Sequence, residues 1–156
     1  MLPILLFTDG SVNAQTHIGY GAYVVVENKD AVSPFVKVKE FEDTSSTKLE
    51  LQTLLWALEE VKGLGRSIII YTDSQNIIGL PTRRERFEKN RFLTKKKVLI
   101  GNALLYQAFY KMMDEMECSL VKVKGHKLSS DKDEIDRLFT LVDRTSREAL
   151  LKNLYM

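Results

Sequence analysis

Ile68-Ile69-Ile70-Tyr71-Thr72-Asp73-Ser74 is a short, strongly β-branched run that ends on a carboxylate. Leu5-Leu6-Phe7-Thr8-Asp9-Gly10-Ser11 does the same near the start of the chain. A brief apolar run bounded by turn residues reads as a strand buried on both faces. Two such strands lying parallel and side by side would bring Asp9 and Asp73 out at one edge of a sheet, where open α/β sheets place their sites. A buried carboxylate costs several kcal/mol unless it is paired or binds a cation. A divalent ion would neutralise both at once. An aspartate after a strand also opens turns and caps helices, so neither residue is diagnostic alone.

The rest of the chain arranges itself around these strands. Residues 18–27 (IGYGAYVVVE) form a second strand, joined to the first by the turn-like GSVNAQTH as a hairpin. His17 falls in that hairpin and is read as an exposed polar residue. Residues 34–42 alternate through Phe35, Val36, Val38 and Phe41, giving a third strand with one solvated face. After Thr44-Ser45-Ser46-Thr47 comes a helix whose Leu51, Leu54, Leu55, Leu58 and Val61 share a face, closed by Gly63 and Gly65. Thr47 to Glu50 fits a capping box, although Glu50 also borders the apolar face and can lean over the sheet edge. Residues 67–72 are the fourth strand, and Asp73 to Leu80 reads as a short helix stopped by Pro81. A second long helix spans Gly101–Glu117, a fifth strand Ser119–Lys124, and a last helix Asp133–Leu154. The order β-β-β-α-β-α-α-β-α predicts an α/β fold. Its sheet is mixed, with antiparallel strands first, parallel ones after, and helices on the faces.

Composition narrows the class. The 156 residues suit a single domain over 1–156, and 44% hydrophobic with 28% charged content is that of a globular chain. One cysteine, Cys118, excludes an internal disulfide. The opening MLPILLF is too short for a membrane span and lacks the basic start of a signal peptide, so a soluble, cytoplasmic protein is expected. The net charge is only +2, yet Arg83, Arg84, Arg86, Lys89, Arg91, Lys95, Lys96 and Lys97 crowd one block with just two glutamates. That block outweighs the charge of the whole chain, so the remainder is mildly acidic.

Taken in order, FTDGS with Asp9, STKLEL with Glu50, YTDSQ with Asp73, LYQAF at Leu105–Phe109, VKVKGHK with His126 and VDRTSREAL with Asp143 resemble the ribonuclease H family of type 1, within the ribonuclease H-like superfamily. The resemblance spans nearly the whole chain. It implies a five-stranded mixed sheet and a metal-dependent endonuclease that cuts the RNA strand of RNA–DNA hybrids, leaving 5′-phosphomonoesters. It further implies two Mg²⁺ or Mn²⁺ ions held by Asp9, Glu50, Asp73 and a last aspartate, with His126 assisting proton transfer or product release. Hard oxygen ligands and the absence of clustered thiols agree with such ions rather than zinc. Asp143 is preferred as that last aspartate, with Asp136 as the alternative. Asp136 keeps the family's usual distance from the loop histidine, whereas the words around Asp143 carry its helix pattern.

By the same resemblance Gly10, Ser11, Asn13, Ser46, Thr47 and Asn76 would meet the hybrid, and Arg83, Arg84, Lys95, Lys96 and Lys97 would grip its backbone. Ser46-Thr47 stands where the family carries an asparagine pair, which bears on how 2′-hydroxyls are read. A monomer is expected. The rival readings are a superfamily nuclease for structured DNA or double-stranded RNA, and a hybrid-binding module without turnover.

Overall fold

The apolar strands alternate between two cores, and this sets the architecture. In the computed structural model, which describes residues 2–27, 35–124 and 133–155, strand β1 (Ile4–Asn13) sends Ile4 and Leu6 into one hydrophobic cluster and Leu5 and Phe7 into another. Strand β4 (Ile68–Thr72) repeats this, with Ile68 and Ile70 on the first side and Ile69 and Tyr71 on the second. Successive side chains of a strand point to opposite faces, so a sheet covered on both sides needs unbroken apolar runs at its centre. The β1 and β4 strands are parallel neighbours, Ile4 opposite Ile68 through Phe7 opposite Tyr71.

Around that pair the five-stranded sheet runs β3-β2-β1-β4-β5. Strand β2 (Ile18–Val26) is antiparallel to β1, β3 (Lys37–Phe41) antiparallel to β2, and β5 (Cys118–Lys122) parallel to β4. Helices α1 (Ser46–Val61), α2 (Gln75–Lys89) and α3 (Ala103–Glu115) contribute to the first core, and α4 (Glu134–Leu154) closes the second. Phe109, Leu54 and Leu58 are fully enclosed on one side, and Phe7 and Val142 on the other. Among the described residues no helix is long and apolar enough to cross a membrane.

The predicted order of elements holds, and four local features differ. The first strand does not end at Asp9 but continues to Asn13, because the hairpin pairs Asp9 with Ala22 and Asn13 with Ile18. Pro81 does not stop α2 but lies inside it. Proline removes one backbone donor, and contacts on either side of it hold the helix. Tyr110 Oη donates to Leu80 O at 2.7 Å, Arg84 grips both oxygens of Asp114 at 2.6 and 2.7 Å, and Phe87 stacks on Tyr106 at 5.4 Å.

The cap of α1 is Ser45, which accepts from Lys48 N, so Thr47 and Glu50 form no capping box. Strand β3 is shorter than its alternation suggests and mostly exposed, and Phe35 lies before its start, 81% exposed. It is an edge strand, and Phe41 finds its apolar partner in Trp56 at 6.4 Å.

Two glycines set the distance between α1 and the sheet. A Cβ on Gly21 would fall 2.1 Å from Thr53 Oγ1, and one on Gly10 would fall 2.9 Å from Leu49 Cδ2. The helix therefore rests directly on the hairpin backbone, and Glu50, the residue after Leu49, is carried to the edge where Asp9 lies.

Candidate active site

Four acids come to that edge from four different elements. Asp9 lies on β1, Glu50 on α1, Asp73 immediately after β4, and Asp143 on α4. The parallel ladder ends before Asp9, since its last pair is Phe7 with Tyr71, and beyond it β1 keeps only β2 as a neighbour. Asp9 thus stands at the mouth of the sheet beside the strand end that carries Asp73.

Electrostatics register the crowding. The Asp9 carboxyl is pushed up to about 9, first by burial, then by its hydrogen bond to the Asp143 carboxyl and by the Asp73 charge, while the Gly10 N–H opposes them. Burial also raises Glu50; Ser74 opposes this through its hydroxyl, which donates to Glu50 Oε2 at 2.6 Å, and the Asp73 charge adds to the rise. Like charges gathered in a partly dry site favour protonation unless a cation arrives. Asp9 and Asp143 share a hydrogen bond, and Asp73 acts on Asp9 and Glu50 through its charge. Among the described residues no group of three or more histidine, cysteine, aspartate or glutamate side chains forms a ready-made ion site.

Helix α4 separates the two candidates for the last acid. Asp136 is buried in the first turn and completes a capping box with Asp133: Asp133 Oδ1 accepts from Asp136 N at 2.9 Å, and Asp136 Oδ2 accepts from Asp133 N at 3.2 Å. Asp143 is two turns later, about 10.5 Å along the axis at 1.5 Å per residue, and meets Asp9.

Serines pin this part of α4. Ser146 is fully buried, its hydroxyl donates to Asp143 O at 3.0 Å, and it lies 3.1 Å from Ser11 Oγ on β1. Arg147 clasps the Asp143 carboxylate from outside, Nε to Oδ1 at 3.1 Å and Nη2 to Oδ2 at 2.5 Å. Sequence reasoning missed Ser74, Ser146 and Arg147. The only sequence signal for the last two is their spacing of three and four residues after Asp143, which puts them beside it on a helix.

The residues expected to meet nucleic acid are distributed as follows. Ser46 and Thr47 are exposed on the first turn of α1. Asn13 Oδ1 accepts from Gln15 N and Thr16 N and shapes the hairpin turn, which also contains His17. Asn76 Oδ1 accepts from Arg83 at 2.7 Å. Arg84 is engaged by Asp114 and Glu88. Lys95 and Lys97 line, with Lys89 and Arg91, a cleft of about 750 Å³ at the far end of α2, and Lys96 is exposed beside it. Phe87 and Phe92, interleaved in the basic block, turn inward toward Tyr106 and Tyr110. His126 lies outside the described residues.

The RNase H family model matches residues 3–142, ending one residue short of Asp143. Ribonuclease H of Syntrophomonas wolfei is 26% identical over 141 residues, covering 88% of this chain and 94% of that protein. Ribonuclease H of Acetivibrio thermocellus is 27% identical over 144 residues, covering 90% and 94%. Among solved structures, the solution structure of the prototype foamy virus RNase H domain superposes with a TM-score of 0.75 at 13% identity, covering 93% of this chain and 92% of that one. The foamy viral protease-reverse transcriptase in complex with RNA/DNA hybrid gives 0.73 at 14% identity over 95% of this chain and 20% of that one. At such identities the structural likeness speaks for the fold.

Proposed function

Since the chain belongs to the ribonuclease H family, we propose that it hydrolyses the RNA strand of RNA–DNA hybrids at the carboxylate edge described above. The observation that carries the proposal is the convergence of Asp9, Asp73 and Asp143 from β1, the end of β4 and α4, with Glu50 brought up by α1. The relatives named ribonuclease H match over most of their own length.

The donor chemistry fits hard divalent ions. The cluster is all oxygen, its charges repel one another, and Cys118 is far along the sheet at the start of β5. Asp9, Glu50, Asp73 and Asp143 would hold Mg²⁺ or Mn²⁺, two ions in our reading. When bound, such ions activate water and relieve charge on the leaving 3′ oxygen.

The chain's own residues do the rest. Ser74 orients the Glu50 carboxylate, Ser11 and Ser146 hold α4 against β1, and Arg147 holds Asp143. Ser46 and Thr47 present hydroxyls on the first turn of α1, where they can bond to the 2′-OH that distinguishes RNA from DNA.

A labelled RNA–DNA hybrid incubated with Mg²⁺, Mn²⁺ or EDTA, beside double-stranded RNA and double-stranded DNA, tests this. Cutting confined to the RNA strand of the hybrid, dependent on metal and lost in Asp73→Asn, is the expected result. Equal cutting of double-stranded RNA, or a hybrid bound but left intact with both metals, would overturn it.

A further inference from the structure

Lys122 is the last residue of β5 and pairs in register with Thr72, the residue before Asp73. Its alternation along the strand follows Cys118 and Leu120, which pack on the core beneath α2 and α3. At Lys122 that core has ended and the side chain is exposed. It runs to the first turn of α2, where Nζ donates to Gln75 Oε1 at 2.5 Å.

Gln75 is neutral, so this bond fixes the ammonium without cancelling its charge, and among the described residues Lys122 makes no ion pair. The first turn of α2 carries no acid to offset it. A helix N-terminus already bears partial positive charge, so a cation held there is stabilised when an anion shares the site. Asp73 lies just before the cap of this helix, but in the proposed reaction its carboxylate would hold a divalent ion, so the anion left for the ammonium is the sugar-phosphate backbone.

We infer that Lys122 is a substrate-gripping residue: its ammonium, held in place by Gln75, takes a backbone phosphate neighbouring the one that is cleaved. This rests on the nuclease reading above and adds a contact to it. Because β5 ends level with β4, the grip lies beside Asp73, one strand away from the reacting phosphate, and would set the register of the duplex on the acids. The basic residues at the far end of α2 are more distant along the helix. An exposed Lys–Gln bond adds little to folding, so the residue's removal should be felt in binding.

Binding is measured by fluorescence anisotropy of a short labelled RNA–DNA hybrid, with Ca²⁺ in place of Mg²⁺, across a salt series, for the wild type, Lys122→Gln and Lys122→Arg. Lys122→Gln should raise Kd about three- to tenfold and reduce the slope of log Kd against log salt by about 0.7–0.9, the value of one phosphate contact. Lys122→Arg should restore both. The urea midpoint of Lys122→Gln should stay that of the wild type. An unchanged salt slope overturns the inference, as does a lowered urea midpoint that Lys122→Arg fails to recover. A wild type that binds the hybrid but does not cut it with Mg²⁺ or Mn²⁺ defeats the nuclease reading and leaves Lys122 to be judged on the slopes. A wild type that binds no hybrid overturns both.

Discussion

Replacing Asp9 with asparagine should stabilise the metal-free protein while destroying its function. The Asp9 carboxyl is pushed up to about 9 from an ordinary 3.8, first by burial, then by Asp143 and Asp73. Each pH unit between the unfolded and folded pKa is worth ~1.4 kcal/mol. The folded state keeps a proton that the unfolded chain has released, so the stability contributed by Asp9 is full below about pH 4 and is lost as pH rises toward about 9. By about pH 7 roughly three units have been crossed, an upper bound of about 4 kcal/mol. Sharing of the proton with Asp143 and relaxation of the site reduce this, and we expect about 2 kcal/mol.

The substituted amide would be neutral at every pH and can still accept from the Gly10 N–H. With a urea m-value of about 2 kcal/mol/M, the midpoint of Asp9→Asn in EDTA should lie about 1 M above that of the wild type near pH 7–8. The gap should close toward about pH 4. Mg²⁺ should raise the wild-type midpoint and leave the variant's nearly unmoved. A variant less stable than the wild type in EDTA near pH 8, or a gap that does not change with pH, would refute the electrostatic reasoning.

The two aspartates of α4 should separate cleanly. Asp143→Asn should lower kcat on hybrid by at least about a hundredfold, with a modest effect on folding. Asp136→Asn breaks the capping box, costing about 1 kcal/mol in urea denaturation, and should leave kcat within a fewfold. The reversed pattern would move the site toward the start of the helix. At the hairpin, Gly21→Ala would force a Cβ into Thr53 and lift α1 from the sheet. It should cost about 1–3 kcal/mol in stability, and it should reduce kcat because Glu50 moves with the helix. Unchanged turnover in a folded Gly21→Ala protein would show that the position of α1 does not govern the site.

Much of this architecture was legible in the sequence because the two central strands announce themselves. Ile68–Tyr71 and Leu5–Phe7 are apolar at consecutive positions, as a strand covered on both faces requires, and that pointed to β1 and β4 as central strands under helices. The same two runs pointed to Asp9 and Asp73. Glu50 was harder to read. Its local spacing from Thr47 suggested a cap, and only tertiary contact with Ser74 shows where its carboxylate goes.

Pro81 misled for a similar reason. Its local preference ends a helix, while Tyr110, Asp114 and Tyr106 on α3 supply the contacts that carry α2 past it. The choice between Asp136 and Asp143 could not be made from helical periodicity, since residues seven apart share a face to within about 20°. It turns on which level of α4 lies beside Asp9, set by the contact of Ser146 with Ser11. Lys122 left no trace in the sequence beyond lying in an ordinary alternating strand.

We propose that the converging carboxylates serve to hold divalent ions. Titrating Mn²⁺ into the protein and following the loss of the free-ion electron paramagnetic resonance signal tests it directly, with Asp73→Asn beside the wild type. Saturable binding by the wild type is expected, weakened by about tenfold or more in the folded variant. Binding that is absent in the wild type, or undiminished in Asp73→Asn, would contradict it.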